Sequence, residues 1–456
     1  NPGADIQFRD IATAYEVLGN PLLRAEYDIA RRKYQDEPGY FSLRVTPSKR
    51  VLSTLDEPQV IYLLAEIAPM RQSAQQRRQD ARLNLALVLD RSTSMKGVRL
   101  DKVKIAAQQI IDQLTPEDVL SIVSFSDRAD VLIPAGHVTD KTAMRAMVNM
   151  MRAEGGTEIF HGLQAGVKEC ERHLGSRLVN HVILLTDGQT FGDEEKCLEL
   201  AAEAAAKGIA ISAMGIGDEW NDVFLDALAS RTGGNSAYVN SPSAVVRFLN
   251  DRVRSLGAAF AERLYMSVAP DADVTLESVF KLTPNPQPVD IQPQPIPIGA
   301  LEYNRPLSVL IQLQMPPSNR AGFRTVVRLD VTGDILAADR QAYKVLSDIS
   351  IEIAHNPTPE EPPLMILDAL GKLTLYRMQQ KAEDAVLRGN VVEATRRLEN
   401  LATRLLAAGQ EDLAQMAMME ARRVSKTSAL SEEGRKSLKF GTRMLLALPQ
   451  PGEDNR

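Results

Sequence analysis

The chain runs to 456 residues, of which 44% are hydrophobic and 25% charged, with a formal net charge of −6 at pH 7. That length exceeds one ordinary core, so about two to four domains are expected. The acidic balance argues against a nucleic-acid binder with a large basic face, and no apolar run approaches the ~20 residues of a membrane span.

Residues 1–34 read as two helices. Phe8, Ile11, Ala14, Tyr15 and Leu18 share one face at helical spacing. Gly19-Asn20-Pro21 breaks that helix, and a second starts at Leu22. The apolar stripe calls for a partner helix that this sequence does not contain. Phe8-x-x-Ile11-x-x-Ala14-Tyr15-Glu16-Val17-Leu18, followed by Arg24-x-x-Tyr27-Asp28, resembles the second half of a J-domain. The resemblance implies a DnaK-type chaperone as partner only if a complete J-domain lies upstream, because the His-Pro-Asp loop would precede Asn1. The first residues do not read as a signal peptide, and a cytoplasmic location is expected. Cys170 and Cys197 are the two cysteines, both in amphipathic helical patterns, and read as buried thiols rather than a disulfide framework.

Residues 35–80 hold Phe41–Val45, which alternates, and Val60–Ala65, an apolar run of strand length, joined by a turn at Asp56-Glu57-Pro58. Arg71–Asp80 is polar and reads as a surface loop or linker. Two strands alone are not a stable domain, so they need strands from elsewhere in the chain.

From 81 to 257 the pattern becomes strand, helix, strand, helix. Leu83–Leu89 barely alternates and reads as a strand buried on both faces. Val98–Leu114 is an amphipathic helix with Val103, Ile105, Ala106, Ile110 and Ile111 inward. Val119–Phe125 and Asp130–Ile133 form a hairpin, and Lys141–Met151 and Ile159–Leu174 are helices. Val182–Thr186 and Ile209–Gly215 are buried strands; Leu198–Lys207, Phe224–Ser230 and Val245–Leu256 are helices, the first stopped by Gly208. Such alternation implies a doubly wound sheet.

In sheets of this kind ligands bind beyond the carboxyl ends of the strands. Asp90, Ser92 and Ser94 stand there, in Leu89-Asp-Arg-Ser-Thr-Ser-Met95. Alone, the three also read as a turn with Ser92 or Ser94 capping the next helix. Thr157, after Gly155-Gly156, and Asp187, in Leu184-Leu-Thr-Asp-Gly188, add oxygen at two further strand-end loops. Hard divalent cations want oxygen ligands in near-octahedral array. The pattern resembles the von Willebrand factor A (VWA) domain, and Asp90, Ser92, Ser94, Thr157 and Asp187 match its metal-ion-dependent adhesion site across about Arg82 to Leu256. The resemblance implies that Ser92, Ser94 and Thr157 bind magnesium (or manganese or calcium) directly. It implies that Asp90 and Asp187 act mostly through water, and that one open position takes a carboxylate from a partner. Glu154 and Glu158 flank Thr157 as rim charges that repel acidic partners or as solvated helix-start acids, the second being favoured, and Lys96 reads as a surface charge. His161, one turn into the helix after Thr157, reads as structural or rim-exposed. His137, His173, His181 and His355 are scattered without zinc spacing.

Residues 258–355 turn strand-rich: Arg263–Val268, Val274–Phe280, Leu307–Gln314, Thr325–Val331 and Tyr343–Ile353. The prolines of Pro284–Pro288 and Pro293–Pro297 read as an extended edge or spacer rather than a partner-binding ligand. These strands with those of 35–80 are expected to form one β-sandwich with the VWA domain inserted, an arrangement tolerated because chain ends lie close at surfaces. Residues 356–363 are a proline-rich linker. Residues 364–447 read as a helical bundle: Leu364–Gln380, Asp384–Gly389, Val391–Ala408, Glu411–Val424 and Ser431–Ala447. Leu398, Leu401, Ala402, Leu405 and Leu406 face a partner helix, Met416, Met418 and Met419 read as core filling rather than an adaptable binding face, and 448–456 is a disordered tail.

The expected whole is a multidomain α/β plus all-β plus all-α protein: a Rossmann-like VWA domain inserted into a β-sandwich, followed by a C-terminal helical bundle. It is expected to be no enzyme, with no catalytic residues. The expected role is metal-dependent capture of a partner's acidic side chain, as a cytoplasmic scaffold or chaperone-associated adaptor. The alternatives are a metal-dependent hydrolase using the same site and an exported adhesin. The layout resembles bacterial cytoplasmic A-domain proteins, some of which work beside MoxR-type ATPases, though no residue here names that partner.

Overall fold

The structure, a computed structural model, describes residues 12, 15–21, 23–24, 39–70, 81–190, 192–292 and 294–447. It divides into two compact units, one from residues up to 79 with 260–284 and 288–366, the other from 80–259, 285–287 and 367 onward.

The elements run β1 Phe41–Pro47, β2 Val51–Ser53, β3 Gln59–Pro69, β4 Arg82–Asp90, a 3₁₀ turn Thr93–Met95, and α1 Val98–Gln113. β5 Val119–Phe125, β6 Ala129–His137, α2 Lys141–Asn149, α3 Ile159–Glu171, β7 Leu178–Thr186 and α4 Glu194–Ala206 follow. Then come β8 Ala210–Ile216, α5 Asp222–Ser230, β9 Ser236–Val239, α6 Pro242–Gly257, β10 Ala259–Pro270 and β11 Thr275–Thr283. The chain continues with β12 Gln287–Val289, β13 Ile296–Glu302, β14 Leu307–Met315, β15 Gly322–Ile335 and β16 Arg340–Ala354. It closes on α7 Leu364–Leu387, α8 Val391–Ala407, α9 Glu411–Thr427 and α10 Glu432–Met444.

The first unit holds two five-stranded sheets, ordered β1-β3-β14-β11-β12 and β13-β10-β15-β16-β2. β3 pairs antiparallel with both β1 and β14, so strands that precede residue 81 and strands that follow 257 share hydrogen bonds. One apolar cluster draws on both sheets, with Ile61, Leu63 and Ile311 from the first and Leu264, Met266 and Leu329 from the second. The proline-rich stretch supplies β12 and β13, each at an end of its sheet, where a missing amide donor does least harm. β2 does not show as a run in the sequence because three residues are too few for a period.

In the second unit a six-stranded sheet is ordered β6-β5-β4-β7-β8-β9, parallel except for β6. β4 and β7 are central, and Leu83–Asp90 are buried throughout, as an apolar run covered on both faces requires. The polar Asn84 inside that run is satisfied: its Nδ2 donates to the Cys170 and His173 carbonyls and to Asn180 Oδ1. Cys170 and Cys197 are free and buried. On α1 the buried stripe is Leu100, Val103, Ala106, Ala107, Ile110 and Ile111. Ile105, expected inward, is 40% exposed, because the stripe turns one position away from it.

The C-terminal helices differ from expectation at three points. α7 continues unbroken where two helices were expected, since the sequence holds no proline or glycine between Gln380 and Asp384. Leu406 lies 60% exposed, while Leu398, Leu401, Ala402 and Leu405 enter the bundle core. Met416 packs against that core, whereas Met418 and Met419 are exposed. The J-domain-like stretch falls outside the described residues except for 12, 15–21 and 23–24, where Tyr15–Gly19 is helical with Tyr15 and Leu18 exposed. The expected linker 356–363 carries no regular structure, and the expected tail 448–456 lies outside the described residues. No described helix is long and apolar enough to cross a membrane.

The helical segment is fastened to the sheet domain of the same unit by α10. Lys436, fully buried, donates to the carbonyls of Asp218 and Trp220 and lies 4.7 Å from the Trp220 ring centroid. Arg435 reaches Asp222 at 2.6 Å, Lys439 pairs with Asp222 and Asp226, and Arg443 meets Asp226 at 2.8 Å. Burial by itself would raise the Asp226 carboxyl, but Arg443 and Lys439 beside it hold it down at about 2. Asp226→Ala leaves buried Arg443 without its carboxylate and Lys439 with Asp222 alone, and should cost about 3–5 kcal/mol in denaturant unfolding. A loss under 1 kcal/mol would show that these charges are not a fastening.

His181 is buried, shares a 2.9 Å hydrogen bond with Ser212 Oγ, and has Arg252 at 3.4 Å. Burial first, and Arg252 second, hold its pKa well below 6.5. The unfolded chain therefore takes up the proton that the folded chain refuses, and stability falls as pH drops below about 6.5. Chemical denaturation at pH 7 and pH 5 should differ by about 1–2 kcal/mol from this group, a difference that His181→Gln removes.

Candidate metal site

The carboxyl ends of β4 and β7 bring the expected residues together. Asp90 closes β4, and Asp187 directly follows β7. Both are fully buried. Asp90 Oδ1 accepts the Ser92 amide at 2.8 Å, which bends the chain so that residues 92 and 94 turn back over the strand end. Ser92 Oγ and Ser94 Oγ lie 2.9 Å apart, and Ser94 Oγ donates to Asp187 Oδ1 at 2.6 Å. Neither serine caps a helix: the 3₁₀ turn begins with no side-chain cap bond from Ser92, and α1 starts after Gly97. The cap alternative is thereby replaced by a cross-loop network.

Thr157 arrives from the third loop. Its Oγ1 is 3.0 Å from the point a Cβ on Gly188 would occupy, so it stands over the Asp187-Gly188 turn. That loop is tied down at several points. Thr93 donates from N and Oγ1 to the Gly155 carbonyl at 3.0 and 2.9 Å, Glu154 N donates to the Arg91 carbonyl at 2.8 Å, and Glu158 N to the Ser126 carbonyl at 2.9 Å. Gly156 N donates to Asp127 Oδ1 at 2.7 Å. Gly155 has φ +79, and a Cβ there would come within 2.5 Å of Asp127 Oδ2, so both conformation and space demand glycine.

Three contributors were not picked out from the sequence. Thr186 Oγ1 donates to Asp90 Oδ2 at 2.6 Å, and the only signal was its place before Asp187. Arg91, buried, spans Glu154 at 2.5 Å and Asp130 at 2.7 Å, which makes Glu154 the partner of a buried cation rather than a free rim charge. Arg99 places its guanidinium on Asp187 Oδ2 at 2.6 Å. Glu158 pairs with His161 at 3.0 Å, both half exposed.

The donor set fits a hard divalent cation. Burial pushes the Asp90 carboxyl up to about 6, against the hydrogen bonds from Thr186 and Ser92, with Asp187 adding a smaller push. Ionised Asp90 at neutral pH is therefore short of positive charge. Ser94 is exposed and Thr157 half-buried, so the hydroxyl rim opens to solvent while the carboxylates lie beneath it. Among the described residues no group of three His, Cys, Asp or Glu stands close enough to hold a metal, which leaves the hydroxyls as the distinctive donors.

This fold and rim define a von Willebrand factor A protein: residues 84–251 match the family's "von Willebrand factor type A domain", and 364–448 match the "Sll0103-like, C-terminal alpha-helical domain". Protein sll0103 of Synechocystis sp. is 30% identical over 384 residues, 80% of this chain and 89% of that one. The chain belongs to that Sll0103-like family of von Willebrand factor A proteins. YfbK of Escherichia coli is 24% identical over 178 residues, 38% of this chain and 31% of its own length. Among solved structures, a von Willebrand factor type A protein from Catenulispora acidiphila superposes with TM-score 0.70 at 16% identity, covering 89% of this chain and 96% of that one. The ArnB paralog VWA2 from Sulfolobus acidocaldarius gives 0.56 at 14%, covering 90% and 99%. Domains of this class often bind a divalent cation at this rim and mediate protein–protein interactions.

Asp90→Ala should abolish magnesium binding in calorimetry and leave the circular dichroism spectrum unchanged. Gly155→Ala should weaken binding about tenfold or more by displacing Thr157, with no ligand atom removed.

Proposed function

We propose that the chain is a magnesium-dependent protein-binding module that captures a carboxylate of a partner. Ser92, Ser94 and Thr157 would hold the cation directly, with Asp90 and Asp187 orienting the hydroxyls and the metal's waters. Magnesium gives up its waters reluctantly and keeps an exchangeable position when neutral hydroxyls are its direct ligands. The two acids beneath would leave the ion electrophilic toward an incoming anion. The observation that carries the reading is the convergence of three loops: the Ser92–Ser94–Asp187 hydrogen-bond chain, with Thr157 over Gly188.

A binding role is favoured over hydrolysis because, among the described residues, no histidine is bonded to any of the five site residues. The imidazole nearest in the sequence, His161, is engaged with Glu158 at the protein surface. In this reading the first unit's two sheets are the β-sandwich that carries the inserted domain, and the helical segment is a second contact surface. A DnaK-type or MoxR-type partner is not needed by any residue of the site.

Affinity selection from a lysate on immobilised full chain should recover the same partner in magnesium and lose it in EDTA. Asp90→Ala bait should lose it in both. A partner retained in EDTA, or by Asp90→Ala, would overturn capture through the metal. Turnover of phosphoester or peptide substrates that requires magnesium and Asp90 would favour hydrolysis.

A further inference from the structure

Among the described residues, Arg99 is the one guanidinium bonded to either carboxylate of the site. Asp187 has two oxygens: Oδ1 accepts from Ser94 and Oδ2 from Arg99, both at 2.6 Å. The Arg99 head also lies 3.5 Å from the Ser94 carbonyl and 3.3 Å from where a Cβ on Gly217 would stand. Arg99 is the second residue of α1, where the helix dipole disfavours a cation. Nothing in its own helix accounts for the placement; the buried carboxylate does. The partners differ in access, since the Asp187 side chain is fully buried while that of Arg99 is 34% exposed.

We propose that Arg99 is a resident counter-cation that competes with the divalent metal for Asp187 and so sets the metal affinity of the site. The proposal rests on the metal-binding reading above. With Oδ1 taken by Ser94, Oδ2 is the oxygen left for a metal-bound water, and Arg99 fills it. A metal-bound water and a guanidinium on that one oxygen would set two positive centres within a few ångströms of each other, where they repel. Without metal, Arg99 offsets the charge of buried Asp187; with metal, it must leave or yield. The site is thereby poised to release its cation rather than trap it. Arg99 is a positioning residue acting through Asp187, not a ligand.

The test is magnesium titration by calorimetry on the full chain, with melting followed in EDTA. Arg99→Gln and Arg99→Met, both neutral, should bind magnesium about tenfold tighter than the unaltered chain. Arg99→Lys should stay within about threefold of it, because the charge remains. In EDTA the neutral variants should melt lower, and magnesium should recover more of their melting temperature than it adds to the unaltered chain. Neutral variants that bind equally or more weakly, or a lysine variant that gains as much as glutamine, would overturn competition. An unaltered chain that binds no magnesium would instead overturn the metal reading itself, and this inference with it.

Discussion

Two carboxylates buried side by side at the ends of adjacent parallel strands are the constraint on which this molecule turns. Asp90 and Asp187 are fully buried, and taking an ionised carboxylate out of water costs several kcal/mol unless its oxygens find partners. The chain meets that demand with groups from the loop after β4, from β7 and from α1: the Ser92 amide, the Thr186 and Ser94 hydroxyls, and the Arg99 guanidinium. Each donor fixes the loop that carries it. The 3₁₀ turn after β4 and the path of residues 92–95 follow from these bonds.

The same unit solves the same problem differently at α10. There Asp222 and Asp226 meet Arg435, Lys439 and Arg443, so every acid has a full cationic partner. The two arrangements divide by purpose. At α10 charge is balanced within the chain, which suits a permanent fastening. At the rim of β4 and β7 Asp187 has one partly exposed arginine while Asp90 has only an amide and a hydroxyl, so the two acids exceed the cationic charge bonded to them. Asp226 held at about 2 and Asp90 pushed up to about 6 express that difference.

Much of this was legible in the residues. The long apolar runs that end on acids, Leu83–Asp90 and Val182–Asp187, carry strand, burial and the place of the candidate site together, because a strand covered on both faces cannot alternate and its carboxyl end is where side chains leave the sheet. Thr157 and Asp187 were legible as oxygens at two further strand-end loops, while the close approach over Gly188 shows only in the fold. What escaped was set by tertiary partners. Arg99 looks like any surface residue of α1 until β7 delivers Asp187 to it. Lys436 and Arg443 sit in a helix whose buried face is charged, so periodicity of apolar residues could not show that this face is the one that docks. Edge strands β12 and β13 hide among prolines, since strand propensity there is overruled by position at the end of a sheet.

One geometric consequence links the rim to the helical segment. Parallel strands deliver all their outgoing loops to one side, and β4, β7 and β8 are parallel neighbours. The loop after β8 therefore emerges beside the carboxylates. Arg99 meets its first residue, Gly217, and Lys436 holds its carbonyls at Asp218 and Trp220. Trp220 fills the space left by Gly215, where any Cβ would overlap the indole, and donates its Nε1 to Gly217 at 2.7 Å. A loop pinned by an indole within and an ammonium on its carbonyls has little freedom to follow Arg99. Any yielding when a cation approaches Asp187 must then come from the arginine side chain, whose one-third exposure gives it a route into water, and not from the sheet or the fastened helices.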